Sequence, residues 1–322
     1  MSFNLLIFDE GSPERGRIGE WPDLLRERIP DIEVNVATSV GEAMEMIGEA
    51  DVAFGNIVPE VFERRGNLRW IACPQAGPRA GYYHDDLIDS DVVVTNTRDI
   101  YNDHISNHIM SYVLAFARGL HVYIRQQVES EWMPGYEIVN LPDATAVVVG
   151  VGGIGGETAR LCSEFGMNVI GVDPRLDAPP QGVTELVAPD ALDEVLPRAD
   201  FVIVTVPETP ETQRLFNLGR FEKMKPSCYF INIGRGATVV LDDLVAALDA
   251  GEIRGAALDV FEIEPLPSDH ALWAMPNVII TPHCAGAGPY LDDRRTELFI
   301  ENCVRFGQGQ ELQNVVDKAN WF

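Results

Sequence analysis

The first hundred residues alternate short apolar runs with stretches in which apolar residues recur at helical spacing. A short apolar run bounded by turn residues indicates a buried strand, whereas apolar residues three and four positions apart indicate one face of a helix. The predicted strands are 4–8, 33–37, 51–56, 68–73 and 91–96, and the segment 41–50 is typical of a connecting helix. Strands that alternate with helices in this way predict a parallel sheet covered on both faces.

A long helix is predicted for 101–121, where one apolar stripe recurs at helical spacing. A turn-rich arm, 122–145, follows it. A second series of strands and helices then begins at residue 146, and a last helical segment covers roughly 287–307. The strands predicted in this second series are 146–149, a run ending at Asp173, 199–207, 228–234, 255–260 and 277–283.

The charge balance is strongly acidic. The 322 residues include 50 Asp and Glu against 24 Lys and Arg, which gives a formal net charge of −26. Nucleic acids and anionic membranes would repel such a surface, so neither is an expected partner. Lysine occurs only at Lys223, Lys225 and Lys318. This composition is typical of proteins adapted to a salt-rich cytoplasm, where screening reduces self-repulsion; the alternative is an acidic protein that happens to use few lysines.

The cysteines and the N-terminus predict a cytoplasmic protein. The chain has five cysteines and no C-x-x-C pair, which favours reduced thiols over disulfides or a cysteine zinc site. The first ten residues lack the basic segment and long apolar run of a signal peptide. No apolar stretch approaches the ~18 residues that a membrane span requires.

A glycine pattern follows the strand at 146–149. Gly150, Gly152 and Gly155 have G-x-G-x-x-G spacing, and the next strand ends in Asp173. Glycines allow a tight turn and close approach of a pyrophosphate to a helix N-terminus, while the acid can bind the adenosine ribose hydroxyls. Asp173 favours NAD, but Arg175 could hold the 2′-phosphate of NADP, so both cofactors remain open. A glycine-rich turn without a ligand is the alternative.

Three polar residues are predicted to follow strands of the second series. Arg235 stands between two glycines after 228–234, Glu264 follows 255–260, and His283 ends the last strand. Because ligands of open α/β sheets bind at the carboxyl ends of the strands, these side chains could converge beside a bound nicotinamide. Each also has a structural alternative: Arg235 as a helix cap, Glu264 as a solvated loop acid and His283 as a packed core residue.

The runs "INIGRGATVVLDDLVAALDAGEIRGAALDVFEIEPLP" and "HALWAMPNVIITPH" closely resemble the D-isomer-specific 2-hydroxyacid dehydrogenases. That family includes glyoxylate/hydroxypyruvate reductases and phosphoglycerate dehydrogenases. The resemblance is dense from about 146 to 286, and "VTVPETPETQRLFN" is similar to the family's segment over the cofactor. It is looser but collinear over the first hundred residues.

The resemblance implies a role for each polar residue in the interconversion of a 2-oxo acid and a D-2-hydroxy acid. It makes Arg235 the ligand of the substrate carboxylate and carbonyl oxygen, His283 the acid–base, and Glu264 its partner. This is chemically sensible, because hydride arrival puts negative charge on the carbonyl oxygen, where a cation and a proton donor are needed. Asp259 is either an acid at the edge of the core or, by the resemblance, an acceptor for the nicotinamide carboxamide.

Further contacts are implied in the same way. Ala76 and Gly77 match the backbone that holds the substrate carboxylate, although Arg79 stands where an acid is common, and Ser106–Asn107 replaces the usual Ala-Glu. These departures leave the preferred side chain of the substrate open. The remaining candidate cofactor contacts are Gly153, Ile154, Val206, Pro207, Thr212, Ile233, Ala285 and Gly286.

The predicted fold is therefore α/β, with two doubly wound parallel-sheet domains that share a cleft, one of them a Rossmann dinucleotide-binding domain. Residues 1–100 with 285–322 are expected to form the substrate-side domain, and 101–284 the NAD(P)-binding domain. By the resemblance the arm is a candidate contact of a homodimer. No metal site is expected: His104 and His108 have helical i, i+4 spacing, but no third ligand is apparent.

Two rival functions remain. One is an NAD(H)-sensing, corepressor-like binding protein without significant turnover, which the acidic charge disfavours. The other is formate dehydrogenase, which shares the fold but is expected to carry glutamine where Glu264 stands.

Overall fold

The computed structural model describes residues 2–9, 17–77 and 81–321. The strands in these ranges are β1 (Asn4–Phe8), β2 (Glu33–Ala37), β3 (Val52–Phe54), β4 (Trp70–Ala72), β5 (Val93–Thr95), β6 (Thr145–Val149), β7 (Asn168–Val172), β8 (Glu185–Val187), β9 (Phe201–Val204), β10 (Tyr229–Asn232), β11 (Gly255–Leu258) and β12 (Val278–Ile280). The α-helices are α1 (Trp21–Arg28), α2 (Val40–Met46), α3 (Pro59–Phe62), α4 (Asp85–Ile88), α5 (Asn102–Arg118), α6 (Leu120–Val128), α7 (Gly153–Glu164), α8 (Leu192–Val195), α9 (Leu218–Phe221), α10 (Leu241–Ala250) and α11 (Leu291–Gln308).

The chain divides into two compact units. One contains Met1–Ile100 and Gly288–Phe322, and the other contains Tyr101–Ala287. The functional domain boundaries given above remain a prediction. None of the described helices combines the length and apolar character needed to cross a membrane.

The first unit contains a five-stranded parallel sheet in the order β2-β1-β3-β4-β5. Side chains of β1 alternate between two cores: Leu6 and Phe8 belong to one, whereas Leu5 and Ile7 belong to the other. Both faces of the sheet are therefore covered, as predicted from the alternation of strands and helices. Helix α11 completes the second core, where the Phe299 ring lies 4.6 Å from that of Trp21.

The second unit contains a seven-stranded parallel sheet in the order β12-β11-β10-β9-β6-β7-β8. Its first strand, β6, lies between β7 and β9, so the strand order reverses beside the glycine-rich turn. This reversal is the topological switch point at which Rossmann folds bind dinucleotides. The predicted pair of parallel-sheet α/β folds, one of them a Rossmann fold, is confirmed.

Two details differ from the sequence prediction. Strand β8 was not predicted, because its residues are only half-buried and give no apolar run. The arm also begins later than predicted, since Gly119 adopts a left-handed φ of +71° and a second helix, α6, resumes directly after it. A glycine here ends one helix without ending helical structure.

Candidate active site

A glycine-rich turn joins β6 to α7 at the carboxyl end of the second sheet. Gly150 has a φ of +88°, a region that favours glycine. A Cβ on Gly155 would lie 1.8 Å from the carbonyl oxygen of Gly150, so the two backbones could not approach so closely with a larger residue. The turn leads into Gly153 and Ile154, the first residues of α7, where backbone N–H groups lack intrahelical acceptors and attract phosphate. The turn therefore fits a dinucleotide pyrophosphate.

The neighbouring strand supports this turn through a residue that the sequence reasoning missed. The Thr205 hydroxyl, directly after β9, donates a hydrogen bond to the carbonyl oxygen of Gly150 at 2.6 Å. The feature that could have identified Thr205 is its position at the end of the strand that pairs with β6. Val206 and Pro207 follow it, and the Thr212 hydroxyl donates to the Pro207 carbonyl at 2.7 Å. The backbone N–H of Ile233, next to β10, donates to the Val204 carbonyl.

Asp173 is buried at the end of β7 and is held from two sides. Its Oδ2 accepts from the backbone N–H of Val151 at 3.0 Å, and Arg175 donates from its backbone and from its guanidinium. Burial alone would raise the pKa of this carboxyl, but the hydrogen bonds from Arg175 outweigh it and hold the pKa below its usual value. The guanidinium also lies beside Gly152, where a Cβ would be 3.1 Å from Nη2. The two residues that compete in the cofactor prediction are thus bound to each other.

Arg235 lies in a turn after β10 that Asn232 stabilises. The Asn232 amide accepts from the Gly234 N–H at 3.1 Å and donates to the Arg235 carbonyl at 3.1 Å. The Thr238 hydroxyl donates to that same carbonyl at 2.7 Å. The Arg235 side chain is half-buried, and its Nη1 donates to the Gly234 carbonyl.

The glycines on either side of Arg235 are required by the backbone around them. A Cβ on Gly234 would lie 2.5 Å from the Val206 carbonyl oxygen, and one on Gly236 would lie 1.9 Å from the Phe261 carbonyl. Gly236 therefore packs directly on the loop that leads to Glu264. Both glycines are needed because the neighbouring loops approach the Arg235 turn closely.

Glu264 and His283 form a hydrogen-bonded pair. The distance between His283 Nδ1 and Glu264 Oε2 is 2.8 Å, and Glu264 Oε1 accepts from the Phe261 N–H at 3.0 Å. A carboxylate accepts on both oxygens, so this contact places a hydrogen on Nδ1. Half of the His283 side chain is exposed. The contact therefore orients the half-exposed ring and leaves its second nitrogen, Nε2, outside the pair.

Asp259 anchors the loop that carries His283. Three successive backbone N–H groups donate to it: His283 to its carbonyl oxygen, Cys284 to Oδ1 and Ala285 to Oδ2, each at 2.9 Å. His283 has a left-handed φ of +52°, uncommon for a residue with a side chain, and these bonds hold it there. Gly286 continues the same loop, against the Tyr101 ring.

Helix α5 contributes two further polar side chains, His108 and Tyr112, behind this loop. The Thr281 hydroxyl donates to Asp259 Oδ1 and contacts the Tyr112 hydroxyl, and His108 Nε2 lies 2.8 Å from Tyr112 Oη and 3.2 Å from Thr281 Oγ1. Burial lowers the pKa of His108, although the charge of Asp259 opposes this. No signal in the sequence joined Thr281 to His108, because they are remote in the chain.

Arg235, Glu264 and His283 follow β10, β11 and β12, which are neighbours in one parallel sheet. Their side chains therefore belong to the same edge as the glycine-rich turn. Ala76 and Gly77 follow β4 in the other unit, where the Asn96 amide donates to the Ala76 carbonyl at 2.9 Å. Their assigned contact with substrate remains a prediction, and Arg79 lies outside the described residues.

Comparisons with known proteins identify the family of the chain. Residues 110–285 match the D-isomer specific 2-hydroxyacid dehydrogenase, NAD binding domain. A glyoxylate reductase of Pyrococcus furiosus is 33% identical over 276 residues, which cover 80% of this chain and 79% of the relative.

Solved structures are similar over the whole chain. A D-isomer specific 2-hydroxyacid dehydrogenase from Xanthobacter autotrophicus Py2, in complex with NADPH and MES, has a TM-score of 0.86 and 29% identity, covering 99% of this chain and 100% of that one. An NADPH-dependent glyoxylate/hydroxypyruvate reductase from Sinorhizobium meliloti, in complex with NADP and sulfate, has a TM-score of 0.82 and 29% identity over the same shares of the two chains. These relatives give no support to the sensor alternative. The chain belongs to the D-isomer specific 2-hydroxyacid dehydrogenase family and is an NAD(P)-dependent oxidoreductase.

Proposed function

We propose that this enzyme reduces a small 2-oxo acid, of the glyoxylate or hydroxypyruvate type, to the D-2-hydroxy acid and also catalyses the reverse reaction. The observation that carries the proposal is the 2.8 Å contact between His283 Nδ1 and Glu264 Oε2, at the same sheet edge as the glycine-rich turn and Arg235. The names of the glyoxylate reductase and the glyoxylate/hydroxypyruvate reductase described above support the choice of substrate.

Each of the three side chains has a role in the proposed reaction. The Arg235 guanidinium binds the substrate carboxylate and stabilises the negative charge that develops on the carbonyl oxygen. His283 donates a proton to that oxygen from Nε2 during reduction and takes it back during oxidation. Glu264 accepts a hydrogen bond from Nδ1–H of His283 and stabilises the positively charged ring. The nicotinamide cofactor, when bound, supplies or accepts the hydride.

The residues around the turn fit that cofactor. Gly150 and Gly155 place no side chain where a pyrophosphate must approach the backbone. Asp173 lies at the end of the adjacent strand. Asp259 would accept a hydrogen bond from the nicotinamide carboxamide. The structure contains Arg175 bound to Asp173, which offsets the repulsion that a 2′-phosphate would meet at an isolated carboxylate. Both NADH and NADPH should therefore be used, with Asp173 favouring NADH.

A homodimer is proposed through helix α6 and the arm that follows it. Leu120, Ile124 and Val128 stand at i, i+4 and i+8 on α6 and are all exposed, and Trp132 in the arm is 95% exposed. An exposed apolar stripe of this kind is typical of a protein interface. Sedimentation of the wild type and of an Ile124→Asp variant would test this, and a monomeric wild type would contradict it.

A cytoplasmic location is proposed from the cysteines. All five are free thiols, and Cys73, Cys162, Cys228 and Cys303 are buried. Reduced thiols are typical of the cytosol. Fractionation of the native cells would test the location.

The first experiment follows the absorbance of NADH and of NADPH, in molar salt, against 2-oxo acids of increasing side-chain size. Turnover of glyoxylate and hydroxypyruvate is expected, with weaker turnover of bulkier acids and no oxidation of formate. Arg235→Gln should mainly raise KM for the oxo acid. If a sample that binds cofactor turns over none of the acids, the proposal is contradicted and the NAD(H)-sensing alternative is favoured.

A further inference from the structure

Three side chains with different donor atoms converge behind the loop that carries His283. His108 comes from α5, Asp259 follows β11, and Cys284 lies in the loop after β12. Their donor atoms all lie within 4.8 Å of one another, and His108 Nε2 is 4.0 Å from Asp259 Oδ1. We propose that His108, Asp259 and Cys284 form a binding site for a thiophilic divalent cation such as Zn²⁺, and that the bound cation inhibits the enzyme.

The donor set suits this class of ion. Zn²⁺ binds cysteine sulfur at about 2.3 Å, histidine nitrogen at about 2.0–2.1 Å and carboxylate oxygen at about 2.0–2.2 Å. A point midway among three atoms no more than 4.8 Å apart lies at most about 2.8 Å from each of them. Displacements of less than an ångström would therefore complete the coordination. Hard cations such as Mg²⁺ prefer oxygen-only sets and bind poorly here.

The space among these donors is polar. The Thr281 hydroxyl now bridges it, donating to Asp259 Oδ1 and lying 3.2 Å from His108 Nε2. On binding, Thr281 turns its oxygen toward the cation and becomes a fourth, neutral ligand. The Cys284 thiol gives its proton to solvent, so that two anionic ligands and one imidazole balance the divalent charge. The Tyr112 hydroxyl, already 2.8 Å from His108 Nε2, remains beside the site.

Occupation of this site would disturb catalysis through the backbone. Asp259 holds the His283 loop through the N–H groups of Cys284 and Ala285. A cation that draws Asp259 Oδ1 and Cys284 Sγ together changes the geometry of the residue that follows His283. The 2.8 Å contact between His283 and Glu264 should then be lost or lengthened. The proposed inhibition rests on the proposed function, whereas the binding does not.

The pattern of histidines on α5 did not predict this site. His104 and His108 have metal-like spacing, but only His108 belongs to the group, and its partners lie more than a hundred residues further along the chain. The proposal therefore departs from the expectation that the chain has no metal site. Helix α5 also provides a matched control for His108, since His104 lies one turn away on the same helix.

Binding is measured first, without reference to activity. The full chain is titrated with Cd²⁺, a spectroscopic substitute for Zn²⁺, in molar sodium sulfate, because chloride itself binds Cd²⁺. The ultraviolet thiolate-to-Cd²⁺ charge-transfer band should saturate at one equivalent per chain. Cys284→Ser should abolish the band and His108→Gln should weaken binding at least tenfold, whereas His104→Gln should bind as the wild type does. A wild type without the band, or bands unchanged in Cys284→Ser, would overturn the proposal.

Inhibition is measured second. Micromolar Zn²⁺ should reduce turnover of the wild type and a chelator should restore it, while the turnover of Cys284→Ser should be the same with and without Zn²⁺. Equal inhibition of both proteins would overturn the inhibitory role. Cd²⁺ binding by a wild type that turns over no oxo acid would support the site and contradict the proposed function. Near-ultraviolet circular dichroism of each variant identifies one that fails to fold, and Cys284→Ala then replaces Cys284→Ser.

Discussion

His283 and Glu264 are 19 positions apart in sequence, yet Nδ1 of the histidine lies 2.8 Å from Oε2 of the glutamate. They meet because β11 and β12 are adjacent parallel strands, so the loops that follow them leave the sheet at the same edge. The contact places the hydrogen on Nδ1 and, in the proposed reaction, leaves Nε2 to exchange a proton.

Replacing Glu264 with glutamine should lower kcat by at least tenfold, because a neutral amide stabilises the charged ring less well than a carboxylate does. Replacing His283 with alanine should lower kcat by ~10²–10⁴. Steady-state rates and NADH fluorescence titrations of both variants provide the measurement, with cofactor affinity expected to stay close to that of the wild type. Glu262→Gln, an exposed glutamate two positions away, is the control. Equal rates in Glu264→Gln and Glu262→Gln would exclude the proposed role of Glu264.

Gly236→Ala should both destabilise the protein and reduce its activity. The new Cβ would lie 1.9 Å from the carbonyl of Phe261, where only backbone can move, so the Arg235 turn and the Glu264 loop must separate. Overpacking of this kind costs about 1–3 kcal/mol. Urea unfolding and kcat measured together should show both losses. Gly219→Ala, whose nearest contact would be an ordinary 3.5 Å, is the control; comparable stability of the two variants would contradict the steric argument.

Arg175→Gln should change the choice of cofactor. Removing the guanidinium leaves Asp173 without its ion pair, so the 2′-phosphate of NADPH meets an uncompensated carboxylate. The ratio of kcat/KM for NADPH to that for NADH should fall by at least tenfold, while the NADH value changes little. Arg198→Gln, which removes an exposed ion pair with Glu185 in the same unit, is the matched control. An unchanged ratio in Arg175→Gln would show that Arg175 does not contact the phosphate.

The stability of the protein should fall between pH 7 and pH 5, partly because of His121. Burial lowers the pKa of His121 below its ordinary 6.5, and the charges of Arg125 and Arg254 act in the same direction. The unfolded chain therefore binds the proton more readily, and stability decreases as the pH falls through 6.5 toward the lower folded value. Urea midpoints of the wild type should decline more steeply in this range than those of His121→Gln. Urea midpoints that decline equally with falling pH in the wild type and in His121→Gln would rule out this contribution of His121.

Potassium chloride should stabilise the protein well beyond ordinary laboratory concentrations. The net charge of −26 creates self-repulsion that is screened over about 10 Å at 0.1 M salt and about 3 Å at 1 M. The thermal midpoint should therefore rise steadily up to molar salt. Sucrose at matched osmolality, which stabilises without screening, is the control. A midpoint that is independent of salt would remove the support for halophilic adaptation.

Much of the fold follows from local sequence patterns. Short apolar runs predicted most strands of both sheets, because a strand that is buried on two faces carries few polar residues. Strand β8 was missed because it is half-buried, and α6 was missed because 122–145 was predicted as a single turn-rich arm. Both misses have one cause: a local pattern does not show whether neighbouring elements will cover or extend a segment.

The sequence by itself determined the family, the glycine-rich turn and the strand-end positions of Arg235, Glu264 and His283, since each depends on residue type and spacing within one segment. Only the tertiary structure decided how these segments support each other. It placed Gly236 on the Phe261 backbone and brought His108 to within 4.0 Å of Asp259 Oδ1. These contacts join residues that are far apart in the chain, and their geometry is set by the order and register of the strands, which no short segment encodes.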